Sequence, residues 1–94
     1  IDLLPTIANA AGVSLPQGTT IDGRNLLLVW QRGGASPHDQ LILFNNERVA
    51  ALRTPQWKYV VRSYYRPYNV PLAALGYPLL FDVTRDPGET VNLA

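Results

Sequence analysis

Residues 40–62 read QLILFNNERVAALRTPQWKYVVR, and this stretch decides the fold. It holds three short runs rich in apolar, β-branched and aromatic residues, separated by the turn-forming triplets NNE and TPQ. Runs of this kind, bounded by Asn and Pro, predict strands at 40–44, 48–53 and 57–62. Because the intervening turns are short, we expect the three strands to lie next to each other and antiparallel.

The sequence after this stretch predicts a fourth strand and a sharp turn. Residues 79–83 (LLFDV) form another short apolar run, and Asp-Pro-Gly at 86–88 is strong turn chemistry. Residues 89–94 have the composition of a helix start, so we expect a chain that is cut at a helix entrance. Residues 63–78, rich in tyrosine and proline, predict a long loop with a helical turn at 71–75.

The sequence before residue 40 predicts short helices. Leu3, Leu4 and Ile7 recur at helical spacing in residues 3–11, with Asp2 as the expected N-cap. Gly12 is the expected C′ residue. Residues 25–31 favour one or two further helical turns, and GGASP then breaks the chain. The predicted fold class is α+β, a small four-stranded antiparallel sheet with one or two short helices.

Composition restricts the classes of function. Hydrophobic residues make up 47% of the 94 residues and charged residues 16%, whereas roughly 25% charged is usual for soluble domains. The low charge predicts faces that the rest of a larger protein covers. A net charge of +1 without a basic block excludes a nucleic-acid partner. The apolar runs are short and interrupted, so the sequence predicts no membrane-spanning segment. The lack of cysteine does not indicate a cellular compartment.

Four blocks in order carry a family resemblance. Residues 81–94 (FDVTRDPGETVNLA) resemble the "L-Y/F-D-L…D-P-x-E…N-L-A" signature near the C-terminus of type I, formylglycine-dependent sulfatases, members of the alkaline-phosphatase-like superfamily. Residues 1–7 (IDLLPTI) resemble that family's "D-L/I-x-P-T-L/I" segment. Residues 21–26 (IDGRNL) resemble its "D-G-x-S/N-L" step, and residues 49–59 its "A-V/L-R-x…W/Y-K" strand pair.

The resemblance implies an α/β catalytic domain followed by a smaller subdomain with a four-stranded antiparallel sheet. We therefore expect residues 1–35 to lead out of a missing catalytic domain, and residues 36–94 to form the C-terminal subdomain, with both ends truncated. The implied partners are that catalytic domain and a sulfated small molecule or glycan. An independent binding module, or the matching part of a phosphonate or phosphate monoester hydrolase, remains an alternative.

The catalytic chemistry that the resemblance implies is not carried by these residues. Sulfatases use a formylglycine made from Cys or Ser in a C/S-x-P-x-R motif, together with calcium held by clustered Asp, Asn or Gln residues. This chain has no cysteine, and SLPQG at 14–18 has glycine where the motif requires arginine. We therefore predict that the 94-residue chain alone is inactive, with no cofactor of its own.

The candidate substrate-binding residues share hydrogen-bonding or aromatic side chains. Amides and guanidinium groups suit sugar hydroxyls and sulfates, and tyrosines offer flat faces to sugar rings. The same residue types also have structural explanations, namely turn formation, a solvated loop or packing on the missing domain. The candidates are His38, Asn45, Asn46, Arg48, Tyr64, Tyr65 and Arg66.

Two further groups are expected to be structural. Arg53 and Lys58 match the family pattern, and we expect them to pair with acids such as Asp82 across the sheet. The two carboxylates of residues 86–89 belong to a turn, and we assign them no catalytic role.

Overall fold

A computed structural model describes residues 1–65 and 68–94, with the side chain of Tyr65 left out of the description. The chain divides into two compact units, unit 1 (Ile1–His38) and unit 2 (Asp39–Ala94). Unit 1 contains the helices α1 (Leu3–Ala10) and α2 (Leu27–Arg32), close to the predicted 3–11 and 25–31. Neither of these helices is long and apolar enough to cross a membrane.

The end of helix α1 follows from its glycine. Gly12 has φ 68°, a conformation that glycine adopts without a steric penalty. The N–H groups of Gly12 and Val13 donate to the carbonyls of Asn9 and Ala8 at 3.1 and 2.9 Å. This is the Schellman pattern, which satisfies the last carbonyls of a helix. The predicted C′ residue is confirmed.

Asp2 lies at the predicted N-cap position of helix α1, but its side chain does not cap the helix. The Asp2 side chain makes no capping hydrogen bond, and its backbone is already helical at φ −86° and ψ −12°, whereas a capping residue normally has an extended backbone. The carboxylate accepts the backbone N–H of Arg24 instead.

Unit 2 is built on the predicted four-stranded sheet. Its strands are β1 (Leu41–Asn45), β2 (Arg48–Arg53), β3 (Trp57–Val60) and β6 (Leu79–Asp82), in the order β1-β2-β3-β6. All three pairings are antiparallel, and a register shift lies between Leu43 and Phe44. The α+β fold class is confirmed, with strand ends displaced by one or two residues from the predicted ones.

The prediction of a loop over residues 63–78 is wrong in its first half. Strands β4 (Ser63–Tyr65) and β5 (Tyr68–Val70) pair as a separate two-stranded antiparallel sheet. The second half does contain the predicted helical turn, since the N–H of Leu75 donates to the carbonyl of Pro71 at 3.1 Å. The β-forming tendency of the tyrosines explains the additional hairpin.

Hydrophobic burial is small in the part of the chain that the structure describes. Ala51 and Phe81 are the buried hydrophobic residues there, 3% and 7% exposed. On helix α1, Leu3, Leu4 and Ile7 are 63%, 58% and 60% exposed. The amphipathic spacing of the helix therefore produces an apolar face directed to solvent, as the interpretation of the chain as a piece of a larger fold predicts.

Candidate functional site

A polar groove lies where the β1–β2 turn meets the β4–β5 hairpin. The Tyr64 hydroxyl on β4 donates to the carbonyl of Asn45, at the end of β1, at 2.8 Å. This bond joins the two hairpins. The groove has a volume of about 450 Å³, and we call it the hairpin cleft. Its lining residues are Asn46, Glu47, Arg48, Tyr64 and Asn69.

The β1–β2 turn positions three of the lining residues. Asn45 and Arg48 are paired across the strands, which leaves Asn46 and Glu47 as a two-residue turn. Asn46 has φ 53°, in the left-handed region that asparagine enters more readily than most residues. The asparagine is therefore suited to the backbone of the turn, and its amide lines the cleft as a consequence.

The side chains of the cleft retain hydrogen-bonding capacity. The Oδ1 atom of Asn69 is buried and has no hydrogen-bond partner among the residues described. Within residues 1–65 and 68–94, neither the Glu47 carboxylate nor the Arg48 guanidinium forms an ion pair. The cleft thus combines a cation, an anion and two amides in one groove, a donor and acceptor set suited to a polar ligand.

The structure brings together only some of the predicted site residues. Asn46, Arg48 and Tyr64 line the hairpin cleft, whereas Asn45 does not line it and accepts the Tyr64 hydroxyl with its carbonyl. Arg66 and the side chain of Tyr65 lie outside the described residues. Asn69 was not predicted as a site residue, because a loop prediction for residues 63–78 gives no reason to place residue 69 beside the β1–β2 turn. The signal for the hairpin is the presence of β-forming tyrosines on both sides of Arg-Pro in the sequence.

His38 belongs to unit 1 and is largely buried there. Its Nε2 atom lies 2.8 Å from Oδ1 of Asp2, and the two side chains are 10% and 16% exposed. The same Oδ1 accepts the backbone N–H of Arg24 at 2.7 Å. The Arg24 hydrogen bond, followed by the interactions with His38, lowers the pKa of Asp2 below its usual value. This contact ties residue 38 to the start of the chain, and a substrate role for His38 stays a prediction.

Thr6 continues the same internal network of unit 1. It is 1% exposed, and its hydroxyl donates to the carbonyl of Asp2 at 2.6 Å while accepting the N–H of Leu26 at 2.9 Å. A Cβ on Gly23 would collide with the backbone carbonyl of Ile1, so the glycine of the IDGRNL block permits this close approach. Two of the family-like blocks are therefore held together by hydrogen bonds from the backbone N–H groups of Arg24 and Leu26 to the side chains of Asp2 and Thr6.

The polar side chains of the C-terminal segment, residues 82–94, are occupied internally; we call this segment the tail. Asp82 is 6% exposed and accepts hydrogen bonds from the Thr84 hydroxyl at 2.6 Å and from Gln56 Nε2 at 3.1 Å. These bonds, the Thr84 hydroxyl first, lower the pKa of Asp82 to about 2. Asp86 accepts the N–H groups of Thr90 and Val91 at 2.7 and 2.8 Å, and its pKa is lowered chiefly by the Val91 bond.

Lys58 pairs with an acid as expected, but that acid is Glu89 and not the example given, Asp82. Lys58 Nζ lies 2.7 and 2.8 Å from the two carboxylate oxygens of Glu89, not beside Asp82. Arg53 donates to the carbonyl of Thr54. Glu89 itself has φ 54°, a conformation that costs a side-chain-bearing residue about 1–2 kcal/mol. The bidentate ion pair with Lys58 offsets part of that cost.

The end of the tail covers the edge of strand β6. Oδ1 of Asn92 accepts the N–H of Leu80 at 2.9 Å, and the N–H of Leu93 donates to the Leu80 carbonyl at 2.8 Å. The expectation that residues 89–94 begin a helix is wrong for this chain, because these residues form no helical turn and Asn92 and Leu93 bond to strand β6 instead. The pairing satisfies backbone groups that an open edge would expose.

The residues of this chain do not fit the metal and nucleophile of a sulfatase. In the described ranges, no three His, Asp or Glu side chains come together as a metal site would require. The sequence contains no cysteine, and Ser14 is not followed by the pattern that formylglycine formation needs.

Comparison with known proteins places the chain in a family. No family model matches it. It is 35% identical to the steryl-sulfatase of Mus musculus over 111 residues, covering 95% of this chain and 18% of that protein. It is 34% identical to arylsulfatase A of Bos taurus over 109 residues, covering 99% and 21%. A crystal structure of a sulfatase-class protein from Bacteroides thetaiotaomicron superposes with a TM-score of 0.60 at 25% identity, over 98% of this chain and 19% of that one.

These matches confirm the resemblance. The small antiparallel sheet and the two short helices are part of a sulfuric ester hydrolase fold. The chain belongs to the sulfatase family and corresponds to a C-terminal part of its members. It spans about a fifth of the length of the curated relatives that it matches.

Proposed function

We propose that this chain is the C-terminal subdomain of an enzyme that hydrolyses sulfate esters, with water as the co-reactant and an alcohol and sulfate as the products. The observation that carries the proposal is the match of nearly the whole chain to a steryl-sulfatase and an arylsulfatase at 34–35% identity. In this proposal residues 1–35 lead out of the catalytic domain and residues 36–94 form the sheet subdomain. The names of the relatives favour sulfate over phosphate or phosphonate esters.

The exposed apolar side chains support a covering catalytic domain. Besides the face on helix α1, unit 2 exposes Ile42 and Phe44 on strand β1 at 55% and 63%. Covering a large apolar side chain stabilises a protein by about 1.5–3 kcal/mol, so several such residues supply a substantial docking energy. We infer that the catalytic domain of the same enzyme is the occupant, since it accounts for most of the relatives' length.

The contribution of this chain to catalysis is to shape the substrate pocket. In this proposal the nucleophile and the calcium belong to the catalytic domain, because the described residues of this chain fit neither a calcium site nor the formylglycine motif. The hairpin cleft supports a role at one wall of the pocket, since the exposed Arg48 guanidinium forms no ion pair and the buried Asn69 Oδ1 accepts no hydrogen bond among the residues described. Its residues orient the ester and exclude water from part of it; they make no bond to sulfur.

The test uses the full-length protein that contains this chain. We expect it to release sulfate from 4-nitrophenyl sulfate and little phosphate from 4-nitrophenyl phosphate. The opposite preference would favour the phosphate monoester hydrolase alternative. The isolated 94-residue chain is the matched control, and we expect no turnover and no cooperative unfolding from it. Cooperative unfolding of the isolated chain, together with an inactive full-length protein, would favour an independent binding module.

A further inference from the structure

We propose that the hairpin cleft recognises a saccharide, so that the enzyme's substrate is the sulfate ester of a sugar rather than of a phenol or a sterol. This inference rests on the proposed function for the ester itself. The inference goes beyond the proposed function because it assigns the alcohol part of the substrate to a site built by residues 46–48, Tyr64 and Asn69.

The lining of the cleft argues against an aryl or steryl group. Four of its five lining residues carry an amide, a carboxylate or a guanidinium, and the fifth is a tyrosine. An apolar ligand would remove these groups from water without replacing their hydrogen bonds, which is unfavourable. Sites for such ligands are lined mainly by hydrophobic side chains. A ligand that brings its own hydroxyls avoids this penalty.

The charges of the cleft favour hydroxyls over the sulfate itself. Glu47 and Arg48 are consecutive residues at the same turn, so an anion attracted by the guanidinium meets the carboxylate beside it. A hydroxyl group serves both side chains, because it donates to a carboxylate and accepts from a guanidinium. Neighbouring hydroxyls on one sugar ring match this adjacent pair.

Asn69 adds an acceptor that has no partner among the described residues. Its Oδ1 atom is buried at the wall of the cleft, and a buried acceptor without a hydrogen bond is destabilising. The terminal torsion of asparagine is broad, so a small rotation turns this oxygen towards the groove. A hydroxyl donor there would restore the missing bond. The volume of about 450 Å³ is within the range of roughly 300–1,000 Å³ for small-molecule sites.

The experiment compares two substrate classes on the full-length enzyme. The variants are Arg48→Ala and Asn69→Leu; the second keeps the branched shape of the side chain but has no hydrogen-bonding groups. The substrates are monosulfates of glucose, galactose and N-acetylglucosamine, with 4-nitrophenyl sulfate as the reference. We expect both variants to lower kcat/KM about tenfold on at least one sugar sulfate, the size of effect that one lost hydrogen bond produces. The loss of kcat/KM on 4-nitrophenyl sulfate should be several-fold smaller, because a phenol brings no hydroxyl groups to the cleft.

The outcomes separate this inference from the proposed function. Hydrolysis of 4-nitrophenyl sulfate without hydrolysis of any sugar sulfate would overturn the saccharide assignment and leave the sulfatase proposal intact. An equal loss of kcat/KM on both substrate classes would also overturn it. If no sulfate ester is cleaved, the proposed function fails, and saturation-transfer NMR with the unsulfated sugars then tests the saccharide site alone. Sugar binding by the unmodified protein that both variants lose would support the saccharide site. No sugar binding by the unmodified protein would overturn it.

Discussion

The tail and the hairpin cleft lie in the same unit and contain similar residues, but their polar groups are used differently. In the tail, Asp82, Asp86 and Asn92 each accept hydrogen bonds from within the chain. In the cleft, Asn69 Oδ1 has no partner among the residues described, and Arg48 forms no ion pair there. The difference separates polar residues that hold a fold from those available to a ligand.

The comparison also explains why the acidic tail is not a ligand-binding site, although its sequence is more conspicuous than that of the cleft. The acidic residues of the tail stand close together in sequence, yet each closes a turn or pairs with a lysine, which leaves them little capacity for chemistry. The cleft residues are dispersed over residues 46–69 and become neighbours only because the Tyr64 hydroxyl joins the two hairpins. The predictions below are measured on the full-length protein.

The largest change in the free energy of unfolding is expected from a substitution in the core that anchors the tail. Phe81→Ala removes most of a side chain that is 7% exposed in strand β6. Loss of burial and the resulting cavity destabilise a protein by about 3–5 kcal/mol for such a change. Denaturant unfolding measures it, with Phe81→Leu as the control that leaves a smaller cavity. Equal stability of Phe81→Ala and the unmodified protein would show that this strand is not the anchor.

Acid should weaken the tail through Asp82. Its pKa is lowered to about 2 in the folded state, against about 3.9 in an unfolded chain. A lowered pKa stabilises the fold above the unfolded value, and this stabilisation is lost as the pH falls from about 4 to about 2. The protection factor for hydrogen exchange of the peptide covering residues 79–94, which corrects for the intrinsic pH dependence of exchange, should therefore fall over this range. We expect Asp82→Asn to exchange faster at pH 7 and to show a flatter pH dependence; an unchanged pH profile would contradict the assignment.

The ion pair between Lys58 and Glu89 should contribute less to the free energy of unfolding than the buried Phe81 side chain. The two side chains are 23% and 34% exposed, so water screens their attraction. A double-mutant cycle with Lys58→Met and Glu89→Gln should give a coupling energy of about 0.5–1 kcal/mol. The coupling should decrease in 1 M salt, because dissolved ions screen partly exposed charges. A coupling of zero at low salt would mean that the tail is held by its turns alone.

The smallest stability effect is expected in the cleft. Arg48 is exposed at the β1–β2 turn and has no ion-pair partner in the part of the chain that is described. Arg48→Ala should change the free energy of unfolding by no more than about 0.5 kcal/mol. Calorimetry measures this change, with Arg48→Lys as the control that retains the charge. A large destabilisation would place Arg48 among the residues that hold the fold.

The main sheet could be predicted because its information is local. The three runs between residues 40 and 62 are joined by short turns, so composition and spacing were sufficient for their pairing. The second hairpin was missed, since its tyrosines and prolines also suit a loop. The Lys58–Glu89 pair spans 31 residues and depends on how the Asp-Pro-Gly turn directs the chain. A contact of that range has no local signal.

The cleft was predicted only in part for the same reason. Asn46 and Arg48 are visible as polar residues of a turn, but Asn69 becomes relevant only once strand β5 places it beside them. His38 was expected on a loop, and its contact with Asp2, 36 residues away, could not be inferred from the spacing of either residue.

The most direct test applies one substitution, asparagine to leucine, at both regions. Asn92→Leu removes the acceptor that satisfies the N–H of Leu80, so the melting temperature should fall while kcat/KM on 4-nitrophenyl sulfate at a permissive temperature stays the same. Asn69→Leu replaces an acceptor without a described partner, so the melting temperature should stay the same or rise. A fall in melting temperature for Asn69→Leu, with none for Asn92→Leu, would contradict the division of unit 2 into a structural tail and a recognition cleft.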